Sequence, residues 1–122
     1  GSEMCIRDSN YASSLVQLKR FEDGKSLLRK TMPVARRILG ECNESTLMIR
    51  MNYGWALYKD TGATLDDLRE AVATLEETER TARRVLGAAH PVTGGIEESL
   101  REARAALSAR DVTSISDAVG AL

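Results

Sequence analysis

The six residues Ala35–Gly40 read Ala-Arg-Arg-Ile-Leu-Gly, and Ala82–Gly87 repeat them as Ala-Arg-Arg-Val-Leu-Gly. A second matched pair of dipeptides precedes the two copies, Asn10-Tyr11 and Asn52-Tyr53. Repetition this close within a short chain indicates stacked copies of one supersecondary unit. Stacked helical units form binding surfaces more often than active sites. The repeat therefore favours an interaction protein over an enzyme, although it does not name the partner.

Composition narrows the class of protein further. The chain has 122 residues, a formal net charge of −1 at pH 7 and only two prolines. Such a balanced charge creates no field that would attract nucleic acid or an anionic membrane. Apolar runs of only a few residues are too short for a membrane span. We therefore expect a single all-α domain that is soluble.

The N-terminus needs separate treatment. Its first eight residues, Gly-Ser-Glu-Met-Cys-Ile-Arg-Asp, resemble the translation of a sequencing-library adapter. We expect residues 1–9 to be foreign to the natural protein and leave them out of the fold prediction. The natural protein would then extend upstream of Asn10. Without this segment the chain is neutral, because Glu3, Arg7 and Asp8 together carry its net charge of −1.

Cysteine usage points to a reducing compartment. If Cys5 belongs to the adapter, Cys42 is the single cysteine. One cysteine forms neither an internal disulfide nor a metal site, which makes a cytoplasmic location the default prediction.

Helix-period patterning predicts five helices, at 10–18, 21–39, 44–61, 64–86 and 95–110. Asn43 is a suitable N-cap, and Thr64 to Asp67 reads as a capping box. Gly40 and Gly87 stand where left-handed C-caps are expected. Residues 10–110 then form one helical-repeat domain of three parts: units 10–42 and 43–90, and a half-unit 91–110. Residues 111–122 are predicted to be a flexible or weakly helical tail.

Pro33 lies inside the second predicted helix. An internal proline removes one backbone hydrogen bond and clashes with the preceding turn, at a cost of about 3 kcal/mol. We therefore predict a kink or a local break near Arg29 to Met32.

The repeated residues resemble tetratricopeptide repeats of the kinesin-light-chain type. Asn10 to Ala12 and Asn52 to Gly54 occupy the place of the Asn-Leu-Ala of that pattern. Further positions match in both copies: Phe21, Gly24 and Ile38–Gly40 in the first, and Ala71, Val85–Gly87 and His90-Pro91 in the second. The resemblance covers about residues 10–107. Departures include Leu15 and Leu57 in place of the usual aromatic residue, and a third unit without the Asn-Leu-Ala signature.

This resemblance implies a specific architecture. Antiparallel helix pairs would stack as a short right-handed solenoid, with two pairs and a C-terminal capping helix. The first helix of each pair would line a concave groove, and the second would form the convex back. Ala12 and Gly54 would mark the tight packing points between paired helices.

Steps of three and four residues from those packing points predict the groove face. Its candidate binding residues are Asn10, Ser13 and Gln17 from the first unit, and Met48, Met51, Asn52, Trp55, Tyr58 and Lys59 from the second. Met adapts to irregular partners, Trp supplies a large anchor, and Asn can bond both backbone groups of an extended peptide. The alternative is that Trp55 and the methionines pack against a neighbouring helix.

We therefore expect a non-catalytic module that binds an extended peptide or a partner helix in the concave groove. The alternative is a structural spacer or self-association segment of a longer array. No enzyme activity, metal or cofactor is expected, because His90 stands in a turn without a Ser or Cys partner at a recognisable spacing. The arginine pairs of the two repeated stretches read as a solvated convex face that complements helix C-termini, with a phosphate site as the alternative.

Overall fold

The computed structural model describes Arg7, Asn10, Tyr11, Ser14 and residues 20–120, with the backbone alone at 112–120. Four helices lie between residues 20 and 120: α1 (Phe21–Ile38), α2 (Glu44–Lys59), α3 (Leu65–Leu86) and α4 (Pro91–Gly120). No strand occurs within the described residues, so the predicted all-α class is confirmed. Most of the helix predicted at 10–18 lies outside the described residues, although Asn10, Tyr11 and Ser14 are helical.

Local side-chain chemistry sets the helix boundaries. The Asn43 side chain accepts a hydrogen bond of 2.8 Å from the Ser45 amide at the start of α2. Thr64 and Asp67 form the predicted capping box of α3 through two bonds of 3.1 Å. At the start of α4, Nδ1 of His90 accepts from the Val92 amide at 3.1 Å. Each cap satisfies an amide that a helix start would otherwise leave unpaired.

The two glycines that close the repeated stretches have the same geometry. Gly40 and Gly87 have φ of 94° and 93°, which a side-chain-bearing residue rarely adopts. Their amides donate to the carbonyls of Arg36 and Arg83, each at 3.1 Å. The positive φ expected at both helix ends is thereby confirmed, although a ψ of 157° places Gly87 outside the left-handed α conformation.

The sequence repeat has a counterpart in burial. Gly40 and Gly87 are 47 positions apart, and the same offset relates the buried stripes of α1 and α3. The pairs related in this way are Gly24 and Ala71, Leu28 and Leu75, Thr31 and Thr78, and Ala35 and Ala82. Buried residues of α2 and α4 are also 47 positions apart; the corresponding pairs are Thr46 and Thr93, Ile49 and Ile96, and Ala56 and Ala103. One packing pattern thus occurs twice along the chain.

Contacts between side chains give the direction of each helix. Arg29 bonds Tyr53, whereas Glu41, just after α1, lies near Arg50, so α2 runs antiparallel to α1. Lys25 lies near Asp67 and Arg29 lies near Glu70, so α1 and α3 run parallel. Each helix packs against the next in sequence, and α2 also packs against α4. The core lies along these interfaces.

Gly54 lies at a tight contact between α2 and α3. A Cβ atom at this position would lie 2.7 Å from Cγ of Leu75, a fully buried side chain. The tight packing point predicted at Gly54 is therefore confirmed, whereas Ala12 lies outside the described residues. No helix in the described part of the chain has the length and apolar character needed to cross a membrane.

The structure differs from two predictions about α1 and α4. The predicted local break in α1 does not occur, because the helix is continuous through Pro33, whose side chain is exposed, and buried residues on both sides of it hold the helix against α2. The helix α4 begins at Pro91 rather than Gly95 and continues to Gly120 rather than ending near Arg110. The Arg110 guanidinium donates a bond of 2.7 Å to the Ala63 carbonyl, which anchors α4 at its predicted end. The Ser and Thr residues after Arg110 have helix propensities only slightly less favourable than that of alanine, so they are compatible with a continued helix.

Candidate functional site

An open cavity of about 270 Å³ lies where α2 packs beside α4. Met51, Asn52 and Trp55 of α2 line one wall, and Gly95 and Ser99 of α4 line the other. In both helices the lining residues are separated by one turn, which places them on a single face. We call this space the α2–α4 cavity. It is bounded mainly by apolar atoms, with the Asn52 and Ser99 side chains as its polar groups.

Gly95 makes room for the cavity. Apart from its chain neighbours and the backbone of its own helix, the only heavy atom of the described residues within 4 Å of a Cβ built at this position is Sδ of Met51, at 3.6 Å. A larger side chain at residue 95 would therefore project toward Met51 and occupy the space between the helices. The preceding Gly94 is exposed, and a Cβ there would meet no heavy atom within 4 Å. The two adjacent glycines thus differ sharply in what they face.

The sequence left two arrangements of Trp55 open, facing the groove or packing against a neighbouring helix, and the residue has features of both. Its half-buried side chain packs against the hydrophobic core and also lines the α2–α4 cavity. The ammonium group of Lys59 lies 5.9 Å from the centre of the Trp55 ring, within the range of a cation–π contact. Trp55 is therefore held in place by the core while part of its surface remains open to the cavity.

Charged and phenolic groups adjoin the cavity at the end of α2. The Tyr58 hydroxyl donates a hydrogen bond of 2.6 Å to Oε2 of Glu102, and Nζ of Lys59 lies 3.4 Å from the same oxygen. The bond from Tyr58, with the charge of Lys59, lowers the pKa of Glu102, so this carboxylate is ionised at neutral pH. Burial raises the pKa of Tyr58, and the bond to Glu102 adds to the shift.

The predicted site residues are distributed unevenly around the cavity. Met51, Asn52 and Trp55 meet there, and Lys59 lies beside them, over the rings of Trp55 and Tyr58. Tyr58, predicted to face the groove, is only 8% exposed, because α4 covers its ring. Met48 and Asn10 are exposed and do not line the cavity. Ser13 and Gln17 lie outside the described residues.

Sequence reasoning missed the wall that α4 contributes. Gly95, Ser99 and Glu102 stand 47 positions after Met48, Asn52 and Trp55, the same offset that relates the two repeated stretches. Adding this offset to the residue numbers of the predicted groove positions on α2 identifies these three residues of α4. This part of the chain was instead predicted to be a half-unit that serves as a C-terminal capping helix.

A buried arginine was also missed. The Arg50 side chain is 1% exposed, and its Nη1 and Nη2 lie 3.7 Å from Glu41 and 3.5 Å from Glu77. Both carboxylates are largely exposed, and Nε and Nη2 form no hydrogen bond with any described residue. Burial, reinforced by the charge of Arg36, lowers the pKa of Arg50. Burying the charge of Arg50 costs desolvation free energy, and the residue is not part of an accessible site.

Three helices are joined by a second polar contact. Arg29 of α1 donates a bond of 2.9 Å to the Tyr53 hydroxyl of α2, which donates in turn to Glu70 of α3 at 2.7 Å. Burial is the main cause that raises the pKa of Tyr53. The contact satisfies the Tyr53 hydroxyl at the helix interface and stabilises the packing of both units.

Other candidate chemistry finds a structural explanation. Nδ1 of His90 is the acceptor that caps α4, which assigns this residue a structural contact in its turn. Within the described part of the chain, His, Cys, Asp and Glu residues form no group of three or more that could hold a metal ion. Cys42 is exposed in the turn between α1 and α2.

The α2–α4 cavity is thus an apolar recess with an aromatic side chain in one wall, a polar side chain in each wall and charged groups at one end. Comparisons of the chain with protein-family models, with curated proteins and with solved structures found no match.

Proposed function

We propose that this protein is a protein–protein interaction module of the tetratricopeptide type, which binds an extended peptide or a partner helix along α2 and α4. The observation that carries the proposal is the α2–α4 cavity with Trp55 in its wall. Half-buried aromatic side chains that are held in place by a core are typical anchors of protein interfaces. The 47-residue recurrence of buried positions supports a repeat architecture, whose characteristic role is to present such a surface.

The size of the cavity favours a peptide side chain over a free metabolite. Pockets for small organic ligands commonly span about 300–1,000 Å³ and enclose most of the ligand. The α2–α4 cavity is smaller, at about 270 Å³, and is open on one side. An apolar side chain that projects from a peptide would fill it while the peptide backbone lies across the helices. Asn52 and Ser99 would then lie near that backbone.

The adjacent glycines of α4 supply a matched test of this proposal. Gly95→Leu should fill the cavity, whereas Gly94→Leu places the same side chain on the exposed face of the same helix. Both changes remove a helical glycine, so both should raise helix stability to a similar degree. An array of unrelated peptides would be probed with the wild-type protein and the two variants.

We expect Gly95→Leu to lose the peptides bound by the wild type and Gly94→Leu to retain them. Circular dichroism would establish that both variants are folded. An unchanged binding pattern for folded Gly95→Leu would refute the cavity as the binding site. If the wild type binds no peptide and forms concentration-dependent oligomers in sedimentation, the protein is a self-association segment.

A further inference from the structure

The two walls of the α2–α4 cavity differ in charge. The wall from α2 is made by Met51, Asn52 and Trp55, and none of these side chains is ionisable. On α4, Glu98 and Glu102 occur at steps of three and seven residues from the lining residue Gly95. Residues at these spacings share one face of a helix. The cavity therefore has an apolar wall on one side and an acidic rim on the other.

Only one of these two carboxylates is matched by a positive charge. Glu102 accepts from Tyr58 and lies 3.4 Å from Lys59, so its charge is largely balanced. Glu98 is exposed and forms no ion pair with any described residue. Glu98 precedes Glu102 by one helical turn, and Glu102 contacts Tyr58 and Lys59 of α2, so both carboxylates lie on the same side of α4. The rim thus carries one net negative charge beside an apolar recess.

From this asymmetry we infer the chemistry of the partner. We propose that the α2–α4 cavity selects a basic peptide segment, in which a bulky apolar side chain enters the cavity and a neighbouring lysine or arginine pairs with Glu98. This inference rests on the proposed peptide-binding function and deepens it. Complementary charges at an interface rim contribute to selectivity and association rate.

Helix geometry sets the spacing of the two partner side chains. Residues three or four apart on a helix have Cβ atoms about 5–6 Å from each other. Glu98 lies one such step from both Gly95 and Glu102. An extended peptide advances about 3.3–3.6 Å per residue. The basic side chain therefore falls within about two residues of the apolar anchor.

Selection from a random peptide library displayed on phage tests this inference without assuming a sequence. The wild-type protein is the bait, and Gly95→Leu is the counter-selection bait, which removes peptides that bind elsewhere. We expect the enriched peptides to carry a large apolar residue with Lys or Arg within about two positions. Enriched peptides that are neutral or acidic around the anchor would overturn the charge inference while leaving the peptide-binding function intact. No enrichment over the counter-selection bait would overturn both.

A matched pair of charge-neutralising variants strengthens the test. The emission of Trp55, the only tryptophan, would report binding of one enriched peptide to the wild type, to Glu98→Gln and to Asp66→Asn. Asp66 is an exposed carboxylate on α3 and does not line the cavity. Asp66→Asn therefore changes the net charge of the protein by the same amount as Glu98→Gln, but away from the cavity. We expect Glu98→Gln to weaken binding by about two- to fivefold, as is usual for an exposed ion pair.

The control Asp66→Asn should bind as the wild type does. Added salt should weaken binding to the wild type more than binding to Glu98→Gln, because salt screens exposed charges. Equal affinity and equal salt dependence in all three proteins would refute the role of Glu98.

Discussion

Tyr58 donates its hydroxyl proton to Glu102 over 2.6 Å, and this bond joins the end of α2 to the middle of α4. The two residues are 44 positions apart in the sequence. Their contact fixes the spacing of the two helices that form the α2–α4 cavity. The buried ring and the exposed carboxylate therefore hold the candidate site open without being part of its lining.

We expect Tyr58→Phe to destabilise the protein by about 0.5–1.5 kcal/mol, the usual contribution of one hydrogen bond. The substitution keeps the buried ring and removes only the donor. Urea unfolding would measure the loss. The double variant Tyr58→Phe/Glu102→Gln serves as the control, since it should lose little more than Tyr58→Phe alone. Fully additive losses would show that the two side chains do not interact.

Stability should fall at low pH because Asp67 and Glu102 have depressed pKa values. The Thr64 amide, with the charge of Lys25, lowers the pKa of Asp67, whereas Tyr58 and Lys59 lower that of Glu102. A carboxyl group whose pKa is lower in the folded than in the unfolded state stabilises the fold above its unfolded pKa of about 4. That contribution is lost as the pH falls through the folded value.

Thermal unfolding between about pH 6 and pH 2 would measure this dependence. The variant Asp67→Asn should show a shallower fall than the wild type, because one of the two linked groups is gone. A fall of equal slope in the variant would contradict the assignment to Asp67.

At alkaline pH, the raised pKa values of Tyr53 and Tyr58 predict that the free energy of unfolding falls as the pH rises. Their stabilising effect is complete below about pH 10 and is lost as the pH rises through the folded values.

Gly54→Ala should destabilise the protein by about 1–3 kcal/mol, as added volume does in a well-packed core. The new methyl group would lie 2.7 Å from Cγ of Leu75, which is fully buried and cannot withdraw into solvent. The matched control is Gly94→Ala, which also adds a methyl group to a helix but meets open space. The control should gain about 0.5–1 kcal/mol from helix propensity. Chemical denaturation of both variants would reveal the opposite signs, and equal effects would refute the tight contact.

Arg50→Met should leave the free energy of unfolding unchanged or raise it by up to about 4 kcal/mol. Methionine fills a similar space, and its thioether needs no partner in place of the unbonded Nε and Nη2. The complementary variant Glu41→Gln/Glu77→Gln keeps the buried charge and removes its two nearest carboxylates, so it should be less stable than the wild type. A large loss of stability in Arg50→Met would show that Arg50 contributes net stabilisation.

Sequence reasoning succeeded where the cause is local. The backbone geometry at Gly40 and Gly87 and the caps at Asn43 and Thr64 depend on a few neighbouring residues, and all four were predicted. The local break predicted near Pro33 does not occur, because the packing of the rest of α1 keeps the helix continuous. The predicted bounds of α4 also differ from the observed Pro91–Gly120, and its end at Arg110 is held by a carbonyl far away in the sequence.

The candidate site was predicted only in part. Met51, Asn52 and Trp55 were found because the spacing along one helix reveals its exposed face. Their counterparts Gly95 and Ser99 depend on which helix packs beside α2, and periodicity within α4 does not contain that information. Arg50 was missed because charged residues are normally exposed, and only the tertiary packing shows that this one is buried.

The α2–α4 cavity lies at a boundary between successive copies of the repeat, with one wall from each. The copy that contains α2 supplies the anchor surface, whereas the copy that contains α4 supplies the charge. The two determinants of the proposed recognition are therefore encoded in separate stretches of the chain and can vary independently. A change of residues 98 and 102 would alter the preferred charge of a ligand, while the shape that receives its apolar side chain would remain.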